Sequence, residues 1–566
     1  MNRFRFNLEA LLREAAHASV VLTFFIMVLS VLTWVKVPIF HLESGFVLRT
    51  FFSVTVPLFI VIGNIGSSIL ILLFFRKYFY SFSGIIIYVL TFFLLGNISV
   101  VFISSFLIIY YMYSLNLDHK KLIFYGLLLL FFIEFFSLIN WVVFIPLDVS
   151  SIFNQVAIAE EQIYYLLSLF SPILVILFLF GWVPRRTIGW SVKGSLDHGR
   201  THRKGNKYFP HLGSRFILVL SLFLSLVIPI YPHLSAINPA REAVSPDLML
   251  RAGVVDSIRS DWTSIFREMG GSRPFYLMVV FILQSIFHLD SVSFVMYSPI
   301  LFFALLVFSM YHFVSRSLGE SDVAVLSAFL LSTGASFLLG IYLYTLSNLL
   351  GLSLVYFSLG LLFSSINREG GWAAYFSLAL FFSVMFVHPW TFFQYCLVVF
   401  PFLFLKLKEN RISGYYRSLG LFFVVGLVLT LSVFFALSSE SIQPSLNVFS
   451  LSLFFDSFKA VNFVYAGVLS NVVPWLLSIY FLSVPSDKGD FSRFVRMLVY
   501  STSILFFFLN PFDKARALSN LPVGFFTAFG LLKFVSEADS KNRLMFILLI
   551  MVQSVVFVFR TLYFFV

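Results

Sequence analysis

The sequence predicts an all-α, polytopic transmembrane protein with about 17 membrane spans. Hydrophobic residues make up 60% of the 566 residues and charged residues only 11%, whereas a soluble globular protein has about 45–50% and about 25%. The mean hydropathy is +0.97. Apolar runs continue for about 20 residues without the alternation typical of a β-barrel. Lys and Arg concentrate in the short segments between these runs, which orients the spans.

Residues 1–183 form a predicted N-terminal membrane domain of six spans. The third apolar run is too long for one span, and Gly96 and Asn97 divide it into two. The chain begins with a charged lead-in without a small-residue cleavage site, so we expect a retained first span and a cytoplasmic N-terminus. The apolar runs lie at about 18–37, 51–75, 83–113, 122–145 and 163–183.

Glu134 is the one carboxylate that lies plainly within a predicted span of this N-terminal domain. A carboxylate inside a membrane is energetically costly, which makes Glu134 a candidate functional residue. The alternative interpretation is that it pairs with polar groups between helices or stays protonated.

Residues 184–215 form a predicted basic cytoplasmic linker with eight Lys and Arg residues and one acid, Asp197. Segments rich in Lys and Arg stay in the cytoplasm, and membrane lipids with anionic headgroups are the expected contact. No nucleic-acid-binding fold accompanies the linker, so nucleic acid is not an expected partner. Cys396 is the only cysteine, which excludes an intramolecular disulfide and a thiolate zinc cluster.

Residues 216–566 form a second predicted membrane domain, with about eleven spans and a large extracytoplasmic loop at 234–290. Its first span, at about 216–232, leads directly into this loop. The apolar run at 275–287 rises only about 20 Å, short of the roughly 30 Å hydrocarbon core. We therefore expect it to be an interfacial or re-entrant helix that does not cross the membrane.

The charges of the later loops support this topology. If residues 275–287 do not cross, twelve basic residues fall in cytoplasmic loops and three in the loops opposite, whereas a crossing helix inverts the ratio. The non-crossing arrangement brings His388, residues 438–462 and residues 510–522 to the same outer face as the large loop.

The outer face is unusually rich in charge for this sequence. Residues 237–278 contain five Arg and five acids, and the later outer loops add His388, Lys514 and Arg516. Carboxylates, a histidine and cations can therefore meet in one cavity at the membrane surface. Such a cavity suits a substrate that is half lipid and half phosphate.

Several short motifs follow one another along this topology, together with a large outer loop directly after a span and an Arg-Pro pair before an apolar helix. The arrangement resembles the GT-C superfamily of integral-membrane glycosyltransferases, in particular weakly described prokaryotic members that use polyprenyl-phosphate sugars. The likeness covers about residues 210–566. The motifs are Ile237-Asn238-Pro239, Ser245-Pro246-Asp247, Ser272-Arg273-Pro274-Phe275-Tyr276-Leu277, Gly340-Ile341-Tyr342, Ser347-Asn348-Leu349, His388-Pro389-Trp390-Thr391 and Arg516-Ala517-Leu518-Ser519-Asn520-Leu521-Pro522.

The resemblance implies transfer of a hexosyl or pentosyl group from a polyprenyl-phosphate donor. The acceptor is a lipid, glycan or protein on the extracytoplasmic face of the cell membrane. An acid near the start of the first outer loop serves in that family as general base, or helps to place the acceptor or a metal, and position transfers this role to Asp247. The alternative interpretation of Ser-Pro-Asp247 is a helix N-cap.

The sequence departs from the paired acids that many members of the superfamily carry. Glu242 and Asp256 are the candidate second acids. No metal ligand is assigned and no cofactor is certain, although the resemblance leaves a divalent metal as an option. Two alternatives to an enzyme therefore stay open, a noncatalytic GT-C-like membrane scaffold and, less favoured because no internal repeat is found, a transporter.

Arg273 and Arg516 are the candidate ligands of the donor phosphate, because a guanidinium is always charged and binds two phosphate oxygens at once. Their alternative interpretation is headgroup contact or snorkelling at the end of a span. Lys514 is a further candidate cation for the same phosphate.

His388, Asn348 and Asn520 are the candidate hydrogen-bonding residues for phosphate or sugar. The alternative for His388 is a polar helix terminus, and for the two asparagines it is helix-end packing. The other charges of the large loop are expected to pair on an amphipathic surface helix. These acids are Asp256, Asp261 and Glu268, and their expected partners are Arg259 and Arg267.

Overall fold

The computed structural model describes the C-terminal part of the chain, within one compact unit of residues 167–566. The predicted N-terminal domain up to residue 174, Glu134 and nearly all of the basic linker lie outside the described residues. The structure describes residues 175, 178, 179, 211–235, 238, 247–334, 338, 340, 345–367, 371–409, 414–438, 472–483, 489–536 and 540–564.

These residues are helical and contain no strand in the described ranges, which confirms the predicted all-α class. Helix α3 begins with Pro274 in its first turn, where a missing amide proton is harmless. Helix α4 ends at Gly319, whose φ of 70° is the left-handed conformation that glycine adopts without strain. The helices are α1 (His211–Ile230), α2 (Leu248–Ser260), α3 (Pro274–Phe287), α4 (Ser291–Leu318), α5 (Ser321–Ser332), α6 (Leu346–Asn367), α7 (Ala373–Ser383), α8 (Pro389–Glu409), α9 (Gly414–Leu437), α10 (Val472–Ser483), α11 (Asp490–Leu505), α12 (Pro511–Ser519), α13 (Val523–Val535) and α14 (Ser540–Phe564).

Five helices in the described part of the chain are long and apolar enough to cross a membrane. The first, Gly213–His233, matches the span that the sequence predicts at about 216–232. A sixth results if α12 and α13, which meet at a bend of 48°, form one span. The other four are Ser291–Leu318, Leu346–Asn367, Pro389–Glu409 and Gly414–Leu437.

Contacts between aromatic rings join helices α6, α8 and α11. Phe363 of α6 lies with its ring centroid 5.3 Å from Phe402 of α8 and 5.3 Å from Phe494 of α11. Lipid tails are as apolar as these side chains, so helix association in a membrane depends on close packing rather than on the hydrophobic effect. The ring contacts fix α6, α8 and α11 relative to one another.

Glycine lets α13 pack closely against α5 and α10. A Cβ atom at Gly524 would lie 2.7 Å from the Leu331 backbone nitrogen, and one at Gly530 would overlap the Leu477 carbonyl oxygen. Small residues at such crossings allow two helix backbones to approach.

We expect Gly530→Ala to lower the free energy of unfolding by about 1–3 kcal/mol, because the new methyl group forces α13 away from α10. Thermal unfolding in a fixed detergent measures the change. Gly253→Ala is the matched control, since a Cβ at Gly253 meets no atom within 4 Å and lies in an exposed helix. A Gly530→Ala protein as stable as the control variant contradicts the prediction.

The described part of the large loop consists of α2, two 3₁₀ turns and α3. The expected pair between Asp261 and Arg267 is confirmed, with 2.6 Å between the carboxylate and guanidinium atoms. Asp256 instead accepts a hydrogen bond from Ser291 of α4, which ties α2 to the following span. Helix α3 has 14 residues and an exposed apolar stripe formed by Phe275, Met278, Ile282 and Ile286.

Ion pairs join α8 and α11 at one end of α8. Lys406 lies 2.6 Å from Asp490, and Arg493 pairs with Glu409. These residues fall in two loops that the sequence assigns to the same side of the membrane. The opposite end of α8, about 30 Å away at 1.5 Å per residue, begins at His388 and Pro389.

Candidate functional site

Five polar side chains meet at the start of α8, and we call them the polar cluster: Asn348, His388, Thr391, Gln394 and Asn520. They come from α6, the start of α8 and the end of α12. The cluster unites His388, Asn348 and Asn520, three of the residues that the sequence predicts as substrate ligands. Thr391 and Gln394 follow His388 on the next turns of the same helix.

The Thr391 hydroxyl group connects the first half of the cluster. It donates to Oδ1 of Asn348 at 2.7 Å and lies 2.7 Å from Nδ1 of His388. The backbone N–H of Thr391 also donates to this Nδ1 atom, at 3.3 Å. These contacts hold the Nδ1 edge of the His388 ring against the first turn of α8.

Asn520 and Gln394 form the second half of the cluster. Nδ2 of Asn520 donates to Oε1 of Gln394 at 2.9 Å and to Oγ1 of Thr391 at 3.3 Å. Nε2 of Gln394 donates to the Ala517 carbonyl oxygen at 2.9 Å. The Tyr395 hydroxyl donates to the Asn520 carbonyl oxygen at 2.8 Å. These bonds hold the end of α12 against α8.

Three arginines surround this cluster. Arg273, just before α3, donates from Nη1 to the Ser347 hydroxyl at 2.9 Å, next to Asn348 in the chain. Arg516 forms an ion pair with Asp513 at 3.3 Å, and its guanidinium carbon lies 6.0 Å from the centre of the Trp390 ring. Nε of Arg251, in α2, is buried and has no hydrogen-bond partner among the described residues.

The three arginines lie close enough to His388 to change its pKa. Burial lowers the pKa of His388 well below its usual value of 6.5, and the charges of Arg273, Arg516 and Arg251 lower it further. Burial likewise raises the pKa of Tyr276 to about 12, opposed by the charges of Arg251 and Arg273. Cations therefore dominate the field at His388, which favours an anion beside a neutral imidazole.

The depressed pKa of His388 predicts a loss of stability in acid. Below about pH 6.5 the unfolded chain binds a proton at this imidazole whereas the folded protein does not, so stability falls by up to about 1.4 kcal/mol per pH unit until the folded pKa is reached. We expect His388→Gln to show a smaller drop in Tm between pH 7 and pH 5 than the wild type. His288→Asn, which removes an exposed histidine, should keep the wild-type pH dependence. Equal drops in the His388→Gln and wild-type proteins would contradict this.

A cleft of about 430 Å³ adjoins the polar cluster. Its walls are mainly apolar side chains of α8, α9 and α11, and its polar lining includes Gln394, Asp513, Arg516 and Asn520. Two wall residues, Leu397 and Phe435, are 50% and 62% exposed, so the cleft reaches the outer surface of the helical bundle. The cleft and the cluster are contiguous because they share Gln394 and Asn520.

The other predicted site residues lie in different surroundings. Lys514 is fully buried, with its ammonium nitrogen 5.8 Å from the centre of the Phe506 ring. Asp247 occupies the N-cap position of α2, but its side chain makes no capping hydrogen bond. Asp247 therefore lies at the N-cap, as the alternative interpretation predicts, but it does not cap the helix with its side chain. Glu242 lies outside the described residues.

Sequence reasoning missed Arg251, Thr391, Gln394 and Asp513. Arg251 follows Asp247 by four residues, and this spacing puts both on one face of α2. Thr391 and Gln394 are neutral residues within an apolar run, and only the periodicity counted from His388 could have indicated them. Asp513 is buried and bonded both to Arg516 and to Asn510, the N-cap of α12.

Within the described residues, no group of three or more His, Cys, Asp or Glu side chains is placed to hold a metal ion. The cations that surround His388 also oppose a divalent cation there.

No family model matches the chain, and neither a curated protein nor a solved structure is significantly similar to it.

Proposed function

We propose that this membrane protein is a glycosyltransferase that takes a sugar from a polyprenyl-phosphate donor at the outer face of the cell membrane. The observation that carries the proposal is the position of Arg516, which lines the apolar cleft and also acts electrostatically on His388. A ligand with an apolar chain and an anionic headgroup can occupy the cleft and meet the arginines at the same time.

The chemistry of the cleft supports a lipid rather than a soluble phosphate. Pockets for small molecules have volumes of about 300–1,000 Å³ and are mostly apolar with a few placed polar groups. Phe393, Leu397 and Phe434 offer walls that an inorganic phosphate does not use. The guanidinium of Arg516 offers paired donors that match two phosphate oxygens.

The transfer step needs a base for the acceptor. In the proposed reaction an acceptor hydroxyl attacks the anomeric carbon, the bond from that carbon to the phosphate oxygen breaks, and polyprenyl phosphate leaves. A carboxylate takes the hydroxyl proton. Asp247 is our candidate because its side chain lies one helical turn from Arg251, which acts electrostatically on both His388 and Arg516.

The leaving phosphate gains charge as the sugar departs. Cations fixed beside it stabilise the transition state more than the ground state. Arg251, Arg273 and Arg516 supply three such cations from three different segments. Neutral His388 adds no charge that the surrounding guanidiniums would oppose.

Purified full-length protein in lipid nanodiscs tests the proposal. We expect it to bind polyprenyl phosphate in preference to inorganic phosphate. With a hexosyl or pentosyl polyprenyl phosphate and an acceptor lipid, it should release polyprenyl phosphate. Saturable binding without transfer to any lipid, glycan or protein acceptor favours the noncatalytic scaffold. If liposomes that contain the protein take up a substrate in an ion-coupled manner and no sugar is transferred, the result favours a transporter. Absence of polyprenyl-phosphate binding removes the proposal altogether.

A further inference from the structure

The hydrogen bonds of Gln394 fix the orientation of the Asn520 amide. The carbonyl oxygen of Ala517 can only accept, so the group of Gln394 that contacts it is the nitrogen Nε2. The other end of the Gln394 amide is then the oxygen Oε1, which lies 2.9 Å from the Asn520 amide. An oxygen needs a donor, and Asn520 therefore presents Nδ2 to it.

This orientation leaves the Asn520 oxygen Oδ1 as an acceptor in need of a donor. Asn520 is only 1% exposed, and Oδ1 is buried with no hydrogen-bond partner among the described residues. Buried polar atoms almost always have a partner, and an exception calls for an explanation. Asn520 also lines the cleft. Oδ1 is closed off from the cleft, so a ligand donor reaches it only when the side chains around Asn520 shift.

The position of Asn520 relative to Arg516 defines what such a ligand carries. The two residues lie one turn apart at the end of α12, where the N–H of Asn520 donates to the Arg516 carbonyl oxygen at 3.3 Å. Arg516 can only donate hydrogen bonds, and Oδ1 of Asn520 can only accept them. The pair therefore suits a headgroup with an anionic oxygen and a hydroxyl group close together.

We infer that Asn520 recognises a sugar hydroxyl of the donor and thereby separates the glycosylated lipid phosphate from the bare one. This inference rests on the proposed function and adds a specificity residue to it. A bare polyprenyl phosphate satisfies Arg516 but leaves Oδ1 without a donor. The hydrogen bond to Oδ1 is therefore lost once the sugar is transferred.

The test compares two lipids and two proteins. Affinities of polyprenyl phosphate and of its glycosyl ester are measured for the wild type and for Asn520→Leu, a change of similar volume. We expect the ratio of ester affinity to bare-lipid affinity to be about tenfold to a hundredfold higher in the wild type than in Asn520→Leu, which has no acceptor for the sugar hydroxyl. The charge difference between the two lipids cancels when the two ratios are compared.

A control variant separates recognition from structural damage. Asn367→Leu, at the exposed far end of α6, should behave as the wild type. If Asn520→Leu does not fold, an ester whose sugar hydroxyls are methylated is offered to the wild type. Its affinity should fall about tenfold to a hundredfold below that of the unmethylated ester.

The outcomes distinguish this inference from the proposed function. If both lipids bind but Asn520→Leu keeps the wild-type ratio, or the methylated ester binds as tightly as the free one, the inference is overturned and the proposed function stands. If neither lipid binds to the wild type, both are overturned.

Discussion

Replacement of Asp247 by Asn should lower the rate of sugar transfer by about 10² to 10⁴ and leave the protein folded. The amide has nearly the shape of the carboxylate but cannot take the proton of the acceptor hydroxyl. The side chain of Asp247 makes no capping hydrogen bond to α2, so the change does not remove a cap. Release of polyprenyl phosphate from a glycosylated donor measures the rate, and thermal unfolding measures folding.

Asp261→Asn is the matched control for this prediction. Asp261 accepts from Thr263 at the start of a 3₁₀ turn and pairs with Arg267 at the protein surface. Exposed pairs of this kind contribute little to stability, so transfer should stay within a few-fold of the wild type. Transfer at the wild-type rate by Asp247→Asn would exclude Asp247 as the base, and Asp256 and Asp513 would then be tested.

Replacement of Arg516 by Lys should weaken donor binding and slow transfer by about tenfold to a hundredfold, although the charge is kept. An ammonium group is compact and cannot present two parallel N–H groups to a phosphate. Arg516→Ala should reduce both quantities further, because it removes the cation that links the cleft to the polar cluster. Equilibrium binding of a glycosyl polyprenyl phosphate and initial rates of transfer measure the two effects.

The ion pair between Arg516 and Asp513 requires its own control. Arg516→Ala removes the cation from a buried carboxylate, which alone can destabilise the fold. The double variant Arg516→Ala, Asp513→Asn removes that carboxylate charge as well. We expect it to regain stability but not donor binding. Arg417→Ala, at the opposite end of the bundle, should change neither quantity. Donor binding that recovers in the double variant would show that Arg516 supports the fold rather than the phosphate.

The sequence predicted the helices whose signals are local. The helix at 275–287 is observed at Pro274–Phe287, because proline sets its start and a continuous apolar run sets its length. The span expected at about 216–232 is observed as Gly213–His233 for the same reason. The start of α12 is a local signal of the same kind, because the side chain of Asn510 accepts a hydrogen bond from the N–H of Asp513, only three residues later.

The site was predictable only in part. The distribution of Lys and Arg between the loops predicted that Arg273, His388 and Arg516 lie on the same outer face. In the structure His388 belongs to the polar cluster, and both arginines act electrostatically on it. The same reasoning named Lys514, but residues two apart on a helix point in nearly opposite directions. Arg516 therefore lines the cleft while Lys514 is buried against Phe506. Which of the two side chains lines the cleft depends on how α12 packs against α11, and no local sequence pattern specifies that packing.

The exposed mouth of the cleft affects how the donor would compete with ordinary lipid. Leu397 and Phe435 border the cleft and are largely exposed on the outside of the bundle. A polyprenyl chain that slides in sideways leaves one hydrocarbon environment for another, so the exchange releases little free energy. Occupancy would then follow the mole fraction of the donor within the bilayer rather than any aqueous concentration. Selection against the far more abundant phospholipids would fall almost entirely to the few polar atoms around Arg516 and Asn520.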